Sequence, residues 1–205
     1  MNIDFVYGTT RVKPHKFGDW CIEEFEVTEN EADFFNMRMR FQGKEDQCIL
    51  AGKYLRLEQI STGYVVMSNT PMECATNKIA YEMAHGSVLM AGLGMGMILE
   101  AILSKPEVTH VRIIEIEKDI IDYVGSFFKD DPRVEIIHGN ILDYQPAKDE
   151  FYNYVWLDIW DDINENNEED FQMLNDRFSD HCKAMNLWSM DLLGFDPEDY
   201  CKIAI

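Results

Sequence analysis

The chain has 205 residues, enough for one substantial core or one domain with an appendage, and its 46% apolar content excludes a disordered chain. With 38 acidic against 18 basic residues the formal charge is −20, which argues against docking on a nucleic-acid backbone and could favour a cationic substrate or partner. No apolar run approaches the roughly 18–20 residues of a membrane span, and Met1-Asn2-Ile3-Asp4 lacks the basic start and apolar core of a secretory leader, so a cytoplasmic location is expected. Residues 1 to about 68 carry five short strand candidates: Ile3–Tyr7, Trp20–Val27, Phe35–Phe41, Tyr54–Leu57 and Tyr64–Met67. Several alternate apolar and polar residues, and Gly18, Gly43, Gly52 and Gly63 punctuate them, so a small β-rich cap is expected. A helix follows over 70–84, with Thr70 as N-cap, Pro71 in the first helical position, Glu73 closing a capping box and Gly86 releasing the chain. Strands then alternate with helices. Strands are expected at 88–91, 110–116, 133–138 and 154–158, helices near 96–104 and 118–128, then a helix over Glu168–Lys183 and a weaker strand at Leu187–Met190. This rhythm means a mostly parallel sheet with helices on both faces, over residues 69–205.

The most informative stretch is the run Ser87–Met97, an apolar strand ending in Gly92-x-Gly94-x-Gly96. A glycine-tight turn after a buried strand lets backbone N–H groups approach a ligand where side chains would not fit. The helix that starts there adds its positive end. Roughly 20 residues on, a second apolar strand ends in Glu115-Ile116-Glu117, the place where an acid can accept hydrogen bonds from a ribose diol. Strand, turn, helix and distant acid together describe a nucleoside pocket on a Rossmann-like, doubly wound α/β sheet. The third glycine stands at 96 rather than at 97, occupied by Met97, which disfavours a nicotinamide-dependent oxidoreductase.

Over about residues 65–190 the sequence resembles the class I S-adenosylmethionine-dependent methyltransferase superfamily, and within it the spermidine-synthase-like branch. The marks are Gly92-x-Gly94-x-Gly96, Glu115-Ile116-Glu117, His138-Gly139-Asn140-Ile141-Leu142-Asp143 and Tyr154-Val155-Trp156-Leu157-Asp158-Ile159-Trp160-Asp161. The resemblance implies S-adenosyl-L-methionine as cofactor. It places the loop of Gly92, Leu93, Gly94 and Gly96 against the methionine part and ribose, Glu115 beside Ile116 on the ribose hydroxyls, and Asn140 and Ile141 around the adenine. Asp158 would face the reacting group, and Asp161 matches the outer acid of the aminopropyl-transferring enzymes. Those enzymes also carry an Asp where this chain has Met95, and an Asp-Glu gate where it has Ser68-Asn69-Thr70-Pro71-Met72-Glu73. The proline after their paired acids is missing here. The last hairpin of the full methyltransferase sheet is expected to be absent. Set against metal-dependent O-methyltransferases, only Asp158, its neighbours and Asp191 remain as metal ligands, so no dedicated metal site is expected.

The expected activity is methyl transfer to a small or cationic acceptor, an amine among the candidates, with Asp158 and Asp161 as catalytic residues. The alternatives are a catalytically inactive acidic interaction protein, which could present phosphate-like charge to a DNA-binding partner, and an aminopropyltransferase. No membrane partner is expected, and a homo-oligomer is compatible with the sequence. Trp156 and Trp188 are read as core residues, whereas Trp160 could hold a cation against its ring. His85 and His138 are read as structural, and Met90, Met95 and Met97 as packing around the turn. Cys21, Cys48, Cys74, Cys182 and Cys201 are scattered without a Cys-x-x-Cys pair, which suggests neither a zinc site nor a disulfide framework.

Overall fold

The computed structural model describes residues 10–160 and 165–188. Among these residues two sheets are built from nine strands. The first is antiparallel, in the order β1 (His15–Phe17), β2 (Trp20–Val27), β3 (Gly52–Gln59) and β4 (Tyr64–Ser68). The second is parallel and holds β5 (Gly86–Ala91), β6 (Val108–Glu115), β7 (Val134–His138), β8 (Tyr152–Leu157) and β9 (Cys182–Leu187) in the order β7-β6-β5-β8-β9. The order reverses between β5 and β8, and a crevice opens there at the carboxyl ends of the strands. The helices are α1 (Glu29–Phe41), α2 (Pro71–Thr76), α3 (Lys78–Met83), α4 (Met97–Leu103), α5 (Lys118–Tyr123) and α6 (Glu165–Phe178). None of them is long and apolar enough to cross a membrane.

Period-two alternation divides the parallel sheet into two faces. Val88, Met90, Tyr154 and Trp156 point one way, into a cluster with α3, α4, α5 and the antiparallel residues Trp20, Ile22 and Leu57. Leu89, Ala91, Val155 and Leu157 point the other way and meet Phe171, Leu174 and Phe178 of α6. The antiparallel sheet therefore shares a core with one face of the parallel sheet. That arrangement roofs the crevice on the side where Trp156 and, one pleat further on, Asp158 project.

Several elements differ from the sequence expectation. Residues 35–41 form the end of α1, not a strand. Thr28 caps this helix, with its hydroxyl accepting the Glu31 N–H at 3.3 Å while Glu31 accepts the Thr28 N–H at 2.9 Å. That capping box, together with Arg38 and Arg40 in the last turn, outweighs an apolar alternation whose members Met37 and Phe41 face solvent. The capping box expected at Thr70 is absent, because the Thr70 hydroxyl pairs with Ser68 at 2.9 Å and Glu73 turns inward. The helix expected over 70–84 is broken at Asn77 into α2 and α3. The last strand lies at Cys182–Leu187, five residues before the expected start, since the apolar spacing Phe171, Leu174, Phe178 ends α6 early. Its sequence has no β-branched residue, so pairing with β8 rather than propensity makes it a strand. Ile3–Tyr7 and the C-terminal hairpin region lie outside the described residues.

One polar network ties the parallel sheet together. Arg112 on β6 reaches Glu135 on β7 at 2.8 Å, Glu150 at 2.8 Å, and the Tyr144 and Tyr152 hydroxyls at 3.1 Å each. Removing the guanidinium would leave a largely buried carboxylate and two phenols without their shared partner. Arg112→Ala is expected to cost about 2–3 kcal/mol in a urea unfolding curve, and Arg112→Lys to recover little of it, since an ammonium cannot serve the fork. A loss under about 0.5 kcal/mol, the range of an ordinary surface change, would contradict the importance of the network.

Candidate functional site

A cavity of about 410 Å³ lies at the crevice between β5 and β8, within the range of small-molecule sites. The end of β5 supplies Gly92, Leu93 and Gly94 to its wall, and the end of β6 supplies Glu115, Ile116 and Glu117. The end of β7 supplies Gly139, Asn140 and Ile141, and the end of β8 supplies Asp158, Ile159 and Trp160. The antiparallel sheet closes the top with residues that include Trp20, Tyr64 and Met67. Eight of the positions singled out in the sequence thus converge on one space: Gly92, Leu93, Gly94, Glu115, Ile116, Asn140, Ile141 and Asp158. Gly96 does not line it. It takes φ +71° as the N-cap of α4, and a Cβ there would lie 2.6 Å from the Phe128 ring, so it serves close packing. Asp161 and Asp191 lie outside the described residues.

Glu115 organises the turn. Its side chain is 5% exposed, and its two oxygens accept the Leu93 N–H and the Glu117 N–H at 2.7 Å each. Burial pushes its carboxyl above the ordinary range, while the backbone N–H groups of Glu117, Leu93 and Ile116 pull it back. Each oxygen has a second lone pair, so capacity for a ligand hydroxyl remains. Gly92 (φ +93°) brings the turn against the end of β8, and any Cβ there would strike the Asp158 carbonyl oxygen. Met67 of β4 reaches down from the cap. Its sulfur accepts the Met95 N–H at 3.2 Å and sits where a Gly94 side chain would be. A substitution at Gly94 therefore meets Met67 first.

The loop after β7 is held from two directions. Asn140 Oδ1 accepts the Leu142 N–H at 2.9 Å, and Arg177 of α6 donates to the Ile141, Leu142 and Tyr144 carbonyls at 3.0, 2.8 and 3.0 Å. Trp160 is anchored by its Nε1–H on Asp170 at 3.2 Å. His138 and His85 each pair a ring nitrogen with a backbone carbonyl, of Ile116 and Met83 respectively. Met90, Met95 and Met97 are buried beneath the turn. Trp156, expected in the core, is both core and cavity wall.

The sequence reading takes Glu73 as a cap and as the end of the stretch that stands in for an Asp-Glu gate, and does not single out Arg177. Glu73 lines the cavity, and its side chain accepts from Asn77 Nδ2 at 3.2 Å and from the Ser68 backbone. Burial pushes its carboxyl up to about 7. Asp158 also rises to about 7, first from desolvation and then from the nearby charges of Glu73 and Glu115. Buried carboxyls facing one another resist joint ionisation, so protons are retained near neutrality. No group of three or more His, Cys, Asp or Glu among the described residues is arranged to hold a metal ion.

No protein-family model matches the sequence, and no curated protein sequence aligns with it. Among solved structures, the 23S rRNA methyltransferase ErmE aligns over 55% of this chain and 44% of its own, at 15% identity and a TM-score of 0.44. The N-methyltransferase NodS from Bradyrhizobium japonicum WM9 aligns over 55% and 63%, at 12% identity and a TM-score of 0.43. A coclaurine N-methyltransferase aligns over 58% and 35%, at 18% identity and a TM-score of 0.44. The chain thus spans between about a third and two thirds of these proteins. At such scores the likeness adds nothing to what the strand order and the cavity establish directly.

The raised carboxyls carry a stability consequence. A folded-state value near 7, above the unfolded value near 4, favours the fold fully below about pH 4, and the advantage is lost as pH rises through about 7. Asp158→Asn removes a charge that the fold tolerates poorly. At pH 8 it is expected to raise the melting temperature by about 3–8 °C, with the gain shrinking toward pH 4. A variant that melts lower than the parent at pH 8 would contradict the placement of Asp158.

Proposed function

We propose that this protein binds S-adenosyl-L-methionine and transfers its methyl group to a small acceptor. The charge of the cavity carries this reading. Among the described residues four carboxyls line it, those of Glu73, Glu115, Glu117 and Asp158, and no Lys, Arg or His does. A dinucleotide brings a pyrophosphate, which calls for cationic side chains or a helix N-terminus free to receive it. Here the N–H groups of Leu93 and Met95 are taken by Glu115 and Met67. A sulfonium nucleoside brings a diol, a planar base and a positive charge, and no phosphate. The residues present suit it. Glu115 can accept from the diol, Gly139, Asn140 and Ile141 can flank the base, and Gly92 to Gly94 leave room for the amino-acid tail.

Bound S-adenosyl-L-methionine supplies a methyl group already activated by the positive sulfur. The chain's own residues then have three tasks. The cap excludes water, through Trp20, Tyr64 and Met67. The acidic wall orients the acceptor toward the sulfur. Asp158 takes the proton that the acceptor releases, a role for which a carboxyl near 7 is suited at neutral pH. Asp161 is proposed to assist acceptor binding.

Calorimetric titration tests this reading. S-adenosylhomocysteine is expected to bind at micromolar affinity, about 8 kcal/mol, and NAD not to bind. Glu115→Ala should weaken the adenosyl ligand by about 1.5–3 kcal/mol, the range for hydrogen bonds to a charged group. Asp158→Asn should lower transfer of labelled methyl at least about 100-fold. No heat or thermal shift with either adenosyl ligand at millimolar concentration would overturn the reading. Adenosyl binding without transfer to any amine or hydroxyl would turn it into an interaction role.

A further inference from the structure

Away from the cavity, α1 carries an apolar surface of its own. The helix buries Ala32 and Met39 on one side. On the other side Phe34, Met37 and Phe41 stand 63%, 49% and 85% exposed. Steps of three and four residues line them up in one stripe along the helix. Isolated exposed apolar residues are ordinary surface, whereas a continuous apolar stripe rimmed by charge marks an interface. None of the three lines the cavity. The charges that border the stripe follow a definite order. At about 100° per residue, Glu31 and Arg38 fall along one border and Asp33 and Arg40 along the other. In each pair the acid lies about two turns N-terminal to the base, on the order of 10 Å away. Among the described residues, Asp33, Arg38 and Arg40 have no ion-pair partner. Glu31 closes the helix cap through Oε2.

A helix of this kind turned end for end presents the same stripe with the border charges exchanged. About a two-fold axis at the level of Phe35 and Asn36, Phe34 of each copy packs on Met37 of the other. Arg38 then meets Glu31 of the other copy, and Arg40 meets Asp33, so one patch complements itself as an isologous contact requires. An anionic lipid surface or an acidic partner would meet Glu31 and Asp33 with like charge.

We propose that α1 is a self-association surface, on which two copies of this chain pair antiparallel about a two-fold axis. Phe34, Met37 and Phe41 form the centre of the contact, and the Glu31–Arg38 and Asp33–Arg40 pairs form its borders. The formal charge of −20 opposes the approach of two copies at long range. At about 0.15 M salt the Debye length is about 8 Å, so that repulsion is screened while pairs in direct contact keep their attraction. A helix of 13 residues is about 20 Å long and covers less than a permanent dimer needs. The pairing is therefore reversible, with a dissociation constant on the order of 10–100 µM.

Sedimentation velocity on the full chain at about 0.15 M salt, over about 5–500 µM protein, tests the assignment. The parent is expected to pass from monomer to dimer across that range. Asp33→Arg and Arg40→Glu, each alone, set like charges against each other across the axis and should weaken self-association at least about 10-fold. Mixed in equal amounts, the two variants restore both pairs, and the mixed dimer should form within about 3-fold of the parent affinity. Both positions are exposed, and a melting curve checks that each variant folds. Should one of them fail to fold, Phe41→Ser decides in its place, with an expected loss of at least about 10-fold from the centre of the contact. A parent that stays monomeric throughout would overturn the proposal. So would a dimer that survives both charge reversals and Phe41→Ser, which places the contact on another face, or a mixture that associates no better than either variant alone.

Discussion

A single buried carboxylate governs the geometry of the site. Glu115 stands at the end of β6 with both oxygens spent on backbone, one on Leu93 in the glycine turn and one on Glu117 at the start of α5. Charge-assisted bonds of this kind are about twice as strong as neutral ones, and they offset part of the cost of taking the carboxylate out of water. The result is a cross-brace between the ends of two parallel strands. With the turn held, Gly92 can lie against the Asp158 carbonyl and Met67 can settle over Gly94. The cap thereby touches the turn at its most constrained point. Remove the brace and the walls of the cavity lose their common reference.

The same cavity shows a conflict between stability and use. Glu73 and Asp158 would each be cheaper to the fold as amides, since burial disfavours their charged forms. The buried Trp156 indole N–H has no acceptor among the described residues. Two carboxyls that burial penalises thus stand in the wall of one cavity, whereas the Arg112 network and the Arg177 clamp on the loop after β7 pair their polar groups. Concentrated violations of this kind belong to binding sites, where a ligand completes what the chain leaves open.

Much of this was legible in the sequence. Short apolar runs, glycine spacing and terminal acids place β5 to β8 within a few residues, because buried parallel strands carry strong and simple signals. Eight of the expected pocket residues meet in space for the same reason: the ends of parallel strands share one edge. The capping box Thr28-x-x-Glu31 was present in the sequence but was overshadowed by the alternation of Phe35, Met37, Met39 and Phe41. The strand Cys182–Leu187 carries almost no local signal, being made by its neighbour β8. Glu73 and Trp156 could not be assigned from sequence, since their meaning depends on which way a helix and a cap face turn. The clamp from Arg177 is also tertiary, reaching back about 35 residues.

The most direct test is a crystal structure of the protein with S-adenosylhomocysteine. The expected result places the ribose hydroxyls on Glu115, the adenine between Asn140 and Ile141, and the sulfur facing Asp158. Glu115 should keep its bond to the Leu93 N–H, since its second lone pairs suffice for the ligand. An adenosyl group bound elsewhere, or a ribose that makes no contact with Glu115, would contradict the account.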